Sequence, residues 1–300
     1  MSHGYLSKNY LLLKTGVPRQ LAEKVETVML ECGALSCTLQ DAADNPIHEP
    51  APGTAPLWPD VIVTGFFSGE ADRDILTHLV ASEIRHFTDA ELSSELLEDK
   101  DWERAWMDDF KPVEVTPALW IVPTFCEPPD IAATNISIDP GLAFGSGTHP
   151  TTHLCLQWLA GEDLDGKTVI DYGCGSGILA IAAALLGAEQ IFAFDIEPQA
   201  LLATKDNASR NRVENKITIC HSDSEIPANV DMVVANILFG PLMELRSRFH
   251  ELLADAGKLC VSGVLSDQVG ALDMAYSEQF RHAETGIREQ WSRYTAVKAS

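Results

Sequence analysis

Val169-Ile170-Asp171-Tyr172-Gly173-Cys174-Gly175-Ser176-Gly177-Ile178-Leu179 decides how this chain is read. An apolar run ends in an acid, glycines follow at every second position, and a long Ala/Leu/Ile stretch begins. That order describes a buried strand, a tight turn and a helix N-terminus. Doubly wound α/β sheets bind nucleotides at such a turn. Glycine suits it because a residue without Cβ lets a ligand approach the backbone and adopts positive φ at low cost.

The details separate two ligand classes. A dinucleotide fingerprint spaces its glycines G-x-G-x-x-G, whereas here the spacing is G-x-G-x-G and position 178 is Ile. Asp171 also sits just before Gly173. An acid there would repel a pyrophosphate and suits an ammonium, met directly or through water. S-adenosylmethionine carries an ammonium and a sulfonium and no pyrophosphate, so it is the expected ligand of Asp171, Gly173 and Gly175.

Three further stretches fall where a doubly wound sheet gathers its ligand. Asp195, in Phe194-Asp195-Ile196-Glu197-Pro198, ends the next strand. Its carboxylate either accepts from both ribose hydroxyls or caps the helix that Pro198 opens. Asn236 follows the apolar run Val233-Val234-Ala235. Its amide can donate and accept, so it either positions a methyl acceptor or the methionine end of the cofactor, or serves as a turn residue. Asp139 to Thr152 holds three glycines and two prolines, with Leu142 and Phe144 as its large apolar residues. It reads as a wall or lid over the glycine turn, with Phe144 against the cofactor, running into a helix over Thr151–Ala160. Thr152 either points its hydroxyl at the cofactor or caps that helix. His149 is either a proton acceptor or a helix-start residue with a structural hydrogen bond.

Outward from this centre, strands are expected at Thr168–Asp171, Gln190–Asp195, Ile217–Cys220, Met232–Ala235 and Lys258–Val264. Helices are expected at Gly177–Leu186, Pro198–Asn211 and Pro241–Leu253, with a closing hairpin over Phe280–Val297. Such alternation predicts a parallel sheet covered on both faces. Upstream, strands at Tyr10–Leu13, Leu35–Leu39, Val61–Phe67 and Ile84–Phe87 alternate with helices at Pro18–Glu31 and Asp72–Glu83. Leu21, Val25, Val28 and Met29 fall on one face of the first helix, and Leu76, Leu79 and Val80 are apolar in the second. This βαββαβ order predicts a ferredoxin-like module. The proline-rich Asn45–Pro59 is a loop. Glu95–Phe110 reads as a helix striped by Trp102, Trp106 and Phe110, followed by strands at Trp120–Pro123 and Ile131–Ile138. The fold class is therefore α/β, with a Rossmann-like doubly wound sheet over 131–300. A smaller α+β ferredoxin-like domain occupies 1–95, and 96–130 connects the two.

Composition narrows the function. The 300 residues carry a formal net charge of -23, from 44 acids against 21 Lys and Arg. Autonomous nucleic-acid binding, which depends on Lys and Arg, is not expected, whereas a basic partner is favoured. The 7 cysteines are scattered without a CxxC pair, as suits free thiols in a reducing compartment. The N-terminus lacks the pattern of a secretion signal, and no apolar run is long enough to span a bilayer. Cytoplasm is the expected location. The remaining histidines form no ligand cluster, so no metal is expected. Position 175 is Gly rather than Ser, so a nucleophile elbow is not expected either.

Taken together, Asp139–Thr152, Asp171–Leu179, Asp195–Pro198 and Ala235-Asn236-Ile237-Leu238 resemble the bacterial ribosomal protein L11 methyltransferases of the PrmA type. The Glu98-Asp99-Lys100-Asp101-Trp102-Glu103-Arg104 connector is similar to theirs as well. Phe-Gly-Ser-Gly-Thr-His-Pro-Thr-Thr is the more specific signature, since all class I methyltransferases share the glycine turn. The resemblance implies S-adenosylmethionine-dependent N-methylation of lysine ε-amino groups and an N-terminal α-amino group. The acceptor would be a basic large-subunit ribosomal protein, free or on the ribosome, and the enzyme a monomer. Cofactor contacts are implied at Thr152, Gly173, Asp195 and Asn236, and substrate recognition over 1–95. The long Asn45–Pro59 loop implies a remodelled docking surface. Relatives that modify adenine or glutamine carry Asn-Pro-Pro-Tyr where this chain has Asn236-Ile237-Leu238-Phe239, which points away from those acceptors. The alternative is a class I methyltransferase acting on RNA or a small molecule.

Overall fold

The structure, a computed structural model, describes residues 9–43, 47, 56–97, 110–139 and 147–299. The chain divides into two compact units, residues 1–106 and 107–300.

The first unit runs β1 (Tyr10–Pro18), α1 (Arg19–Glu31), β2 (Ser36–Asp41), β3 (Asp60–Ser68), α2 (Arg73–Ile84) and β4 (Ser93–Leu97). Its strands form one antiparallel sheet in the order β2-β3-β1-β4, the ferredoxin-like arrangement. Helix α1 buries Ala22, Val25 and Met29, spaced to share one face. Asp72 caps α2 by accepting from the Asp74 and Ile75 N–H groups, both at 3.0 Å.

Two expectations fail in this unit. The fourth strand does not lie at Ile84–Phe87. Ile84 completes the buried face of α2 with Leu76 and Val80, and its carbonyl accepts from Phe87 and Thr88 in the turn that follows. Its place in the helical period overrides its strand propensity. Leu79, also apolar, is 45% exposed, because it lies off the i, i+4, i+8 row that meets the sheet. Glu95–Leu97, expected to begin a helix, are strand residues paired with Leu12, Leu11 and Tyr10. The pairing offered by β1 outweighs their local helical preference. Residues 98–109 of that expected helix, with Trp102 and Trp106, lie outside the described residues, and Phe110, its expected last residue, is in neither a helix nor a strand.

The second unit opens with a small sheet of β5 (Val113–Thr116), β6 (Leu119–Val122) and β7 (Thr134–Ser137). Helix α3 (Pro150–Gly161) follows. Next come β8 (Thr168–Tyr172), α4 (Ile178–Leu185), β9 (Gln190–Phe194), α5 (Pro198–Arg210) and β10 (Ile217–Cys220). The chain continues through β11 (Val230–Asn236), α6 (Phe239–Leu252), β12 (Leu253–Leu265) and α7 (Val269–Tyr276). It closes with the hairpin of β13 (Phe280–Arg288) and β14 (Trp291–Lys298). The large sheet has the order β10-β9-β8-β11-β12-β14-β13. It is parallel from β10 to β12, and β14 is antiparallel to both of its neighbours.

Alternation along the strands feeds a core on each face of this sheet. Val169, Ile191, Met232 and Val234 join residues of α3 and α4 in one cluster. Ile170, Val233, Ala235 and Val261 join residues of α6 and α7 in the other. Helix α7, absent from the sequence reading, is only 8 residues long and buries Leu272 and Tyr276, one helical turn apart. Among the described residues no helix is long and apolar enough to cross a membrane. All seven cysteines are free thiols.

Candidate active site

The order of the large sheet creates a switch point. From β8 the chain proceeds outward through β9 to β10, then returns to place β11 on the other side of β8. Connections leave the carboxyl ends of β8 and β11 in opposite directions, so a crevice opens between them.

The turn after β8 lines one side of that crevice. Gly173, Gly175 and Gly177 have φ of 81°, 54° and 79°, values that other residues adopt at a cost. A Cβ on Gly173 would strike the Ile237 side chain, and one on Gly177 would lie 2.7 Å from Thr204 Cγ2. Neighbouring elements hold the turn by its backbone. Phe194 O accepts from the Gly173 N–H at 2.7 Å and the Cys174 N–H at 3.0 Å. From α5, Thr204 Oγ1 donates to Gly175 O at 3.1 Å and Asn207 Nδ2 to Ser176 O at 2.9 Å.

Asp171 and Asp195 close the turn from two strands. Asp171 is buried, and its Oδ2 accepts from the Ala180 N–H at 2.9 Å. It thereby satisfies a first-turn donor of α4 that Gly177, having no side chain, leaves unmet. Its Oδ1 is buried without a partner. Burial pushes this carboxyl up to about 7, opposed by the Ala180 N–H and reinforced by the charge of Asp195. Asp195 is half-buried. Its Oδ2 accepts from the Gly175 N–H at 2.9 Å and its Oδ1 from the Glu197 N–H at 3.0 Å. The N-cap position of α5 belongs to Glu197, so Asp195 ties the turn to the β9 end instead of capping the helix. The Asp195 carboxylate makes a field at the strand ends that suits a cation and opposes a phosphate, and a cation beside Asp171 would favour its charged form. The orphaned Asp171 Oδ1 fits a compact ligand bearing an ammonium, while the space that Gly173 leaves for want of a Cβ is filled by Ile237.

The opposite side is assembled from distant parts of the chain. Asn236 ends β11, and its Nδ2 donates to Thr152 Oγ1 at 3.1 Å. Thr152 is buried in the first turn of α3. His149 is the N-cap of that helix: its Nδ1 accepts from the Thr151 N–H at 3.3 Å and lies 2.7 Å from Thr151 Oγ1. Its ring meets the Trp291 ring edge-on, with centroids 5.0 Å apart. His153, given no role from sequence, is buried, and burial together with the Arg288 charge holds its pKa below the usual range. Phe144 lies outside the described residues. Gly147, the first described residue after it, approaches Ile178 of α4 so closely that a Cβ would lie 2.9 Å from Cδ1.

The structure thus brings Asp171, Gly173, Gly175 and Asp195 into one turn, and Thr152 and Asn236 into one hydrogen-bonded pair. The Gly173–Ile237 approach joins the two groups, since Ile237 directly follows Asn236. Sequence reasoning did not find Thr204 and Asn207. Their signal is a pair of polar residues one turn apart on α5, with Thr204 fully buried. It also missed Tyr172, whose hydroxyl donates to Asp223 Oδ1 at 3.0 Å, and Arg248, which pairs with Asp223 at 2.9 Å. Those bonds tie the end of β8 to the turn after β10 and to α6.

The chain is similar to known proteins over nearly its whole length. The profile of the family described as ribosomal protein L11 methyltransferase (PrmA) matches residues 9–299. The ribosomal protein L11 methyltransferase of Teredinibacter turnerae is 47% identical over 290 residues, covering 96% of this chain and 97% of the relative. That of Photobacterium profundum is 45% identical over 292 residues, covering 97% of this chain and 99% of the relative. The crystal structure of the ribosomal protein L11 methylase from Lactobacillus delbrueckii subsp. bulgaricus superposes with a TM-score of 0.59 at 30% identity. The superposition covers 64% of this chain and 100% of that one.

Proposed function

The chain belongs to the ribosomal protein L11 methyltransferase family, and on that premise we propose that it methylates amino groups of ribosomal protein L11 with S-adenosylmethionine. The acceptors in this reading are lysine ε-amino groups and the N-terminal α-amino group. One observation carries it: the glycine turn and Asn236 with its partner Thr152 lie at the carboxyl ends of the adjacent strands β8 and β11, joined where Gly173 meets Ile237.

In this reading Asp171, Gly173 and Gly175 hold the amino-acid end of the cofactor, Asp195 the ribose hydroxyls, and Thr152 and Asn236 the side where transfer occurs. Phe144 belongs to the same set. The cofactor supplies a methyl group on a positively charged sulfur, already reactive toward an amine. The chain's own task is to align and desolvate. Asn236 gives its N–H to Thr152, which leaves its carbonyl oxygen to accept from the acceptor amine and orient it. The amine must be neutral to attack, and burial among apolar groups lowers its pKa. His149 is the candidate proton acceptor, its Nδ1 exchanging the Thr151 N–H for the proton, and in this reading the transfer needs no metal.

In this reading the first unit, holding the expected domain 1–95, recognises the substrate and the second, holding the expected domain 131–300, is catalytic; β4, β5 and β6 draw the ends of the expected 96–130 connection into the two units. The acidic balance of -23 suits a basic ribosomal partner, free or on the ribosome. The enzyme works as a cytoplasmic monomer. The test is incubation with labelled cofactor, ribosomal protein L11 and ribosomal RNA, followed by intact-mass analysis. Mass steps of about 14 Da per methyl on the protein are expected from carbon transfer to nitrogen. Label in RNA with none in protein would overturn the reading.

A further inference from the structure

We propose that Arg293 is a positioning residue of this site: it fixes helix α3 along the sheet and so sets the Thr152 hydroxyl against Asn236. The inference rests on the reading of Thr152 and Asn236 given above.

Arg293 lies on β14 and is only 6% exposed. The sheet register places it in the same row as the site, since Asn236 pairs with Ser262 and Ser262 with Arg293. Its Nη1 donates to Leu154 O at 3.3 Å, and Leu154 sits two residues beyond Thr152 on α3. Its Nη2 pairs with Glu284 of β13 at 3.0 Å. On β13, the cross-strand partner of Arg293 is Gly286. A Cβ there would lie 3.1 Å from Nη2 and 3.2 Å from Cζ, so the absence of a side chain at Gly286 makes room for the guanidinium.

A buried guanidinium is a poor source of stability, because losing water offsets most of its pairing. Its Nε is buried with no partner at all. An apolar side chain would fill the volume at less cost, so the cation must serve some end other than filling space. Apolar packing fixes how far α3 lies from the sheet but resists sliding weakly. A slide of one residue moves a helix by about 1.5 Å, enough to break the Thr152–Asn236 bond of 3.1 Å. Arg293 bonds a carbonyl in the same stretch of helix and opposes that slide. The Cys155–Cys260 contact beside it, 4.0 Å between sulfurs, is too long and weakly directional to do the same.

The test compares Arg293→Met, Thr152→Val and the double variant, by calorimetry with S-adenosylhomocysteine, kcat and KM for the cofactor, and thermal melting. Arg293→Met keeps volume and removes the donors. It is expected to lower kcat about tenfold in the parent and less than about twofold in Thr152→Val, with S-adenosylhomocysteine affinity and melting temperature changing little, since a residue acting through Thr152 is non-additive with it. A full tenfold effect in both backgrounds, or none in the parent, overturns the proposal. A Thr152→Val variant that binds and turns over normally overturns the site reading itself, and the proposal with it. Should Arg293→Met fail to fold, Arg293→Lys serves in the same cycle. Partial loss that vanishes in Thr152→Val supports the proposal, and parental behaviour overturns it.

Discussion

The two sides of the crevice are built in opposite ways. The glycine side is backbone, drawn from one continuous stretch between Asp171 and Asn207 and held by at least six hydrogen bonds to its main chain or its helix start. The acceptor side is side chain, joined by one bond between residues 84 positions apart. The first has its shape whether or not the rest of the unit is well packed. The second exists only when α3 and β11 are docked correctly. Cofactor affinity should therefore follow the local turn, and turnover the distant pair.

The sharpest way to break this contrast is Gly173→Ala. The substitution forces a side chain into positive φ, at about 1–3 kcal/mol, and drives its Cβ into Ile237. Binding of S-adenosylhomocysteine should fall more than about a hundredfold by calorimetry, with a lower melting temperature. Normal binding would show that the backbone surface at Gly173 does not meet the ligand. Asp195→Ala comes next. It removes an acceptor shared by the Gly175 and Glu197 N–H groups along with the expected ribose contact. Hydrogen bonds to a charged group contribute about 1.5–3 kcal/mol, so affinity should drop about ten- to hundredfold. Asp195→Asn, which retains one acceptor, should recover part of it.

Thr152→Val addresses the other side. It conserves shape and leaves the Asn236 N–H without its partner, at a cost of about 1–3 kcal/mol. The loss should appear mainly in kcat, with affinity falling less than in Asp195→Ala. Equal losses in kcat and affinity would erase the distinction between the two sides and make Thr152 part of the cofactor cradle alone.

The same contrast explains what could be read from sequence. The β8–turn–α4 unit is legible because its instructions are contiguous: an apolar run, an acid, alternating glycines and a helix former. Asp195 is legible by its distance from that turn. The Asp171 role is only half legible. The ammonium-like field follows from its charge, but its bond to the Ala180 N–H follows from Gly177 being unable to cap α4, a fact of three dimensions. Thr152 and Asn236 could each be nominated from their neighbours, yet nothing local pairs them. In the first unit, Ile84–Phe87 and Glu95–Leu97 misled for a related reason. Whether Ile84 belongs to strand or helix depends on a row begun at Leu76, and Glu95–Leu97 take their form from β1, some eighty residues away. Residues whose conformation is set by a distant partner carry no local mark of it.

The last expected effect concerns Asp171 and has two opposite signs. Burial raises this carboxyl from 3.8 to about 7, so between those values the folded chain holds a proton that the unfolded chain has released. Stability contributed here therefore falls as pH rises through that window. Cofactor binding should run the other way. An ammonium beside Oδ1 favours the carboxylate, so binding should release a proton below pH 7 and tighten as pH rises toward it, by up to about tenfold per unit of lowered pKa. Asp171→Asn keeps an acceptor for the Ala180 N–H and cannot titrate. Melting temperatures at several pH values, and calorimetry in buffers of different ionisation enthalpy, should show both slopes in the parent and neither in the variant. If the stability slope disappears and the binding slope persists, Asp171 belongs to the scaffold of α4, and the cofactor's ammonium must be met elsewhere in the crevice.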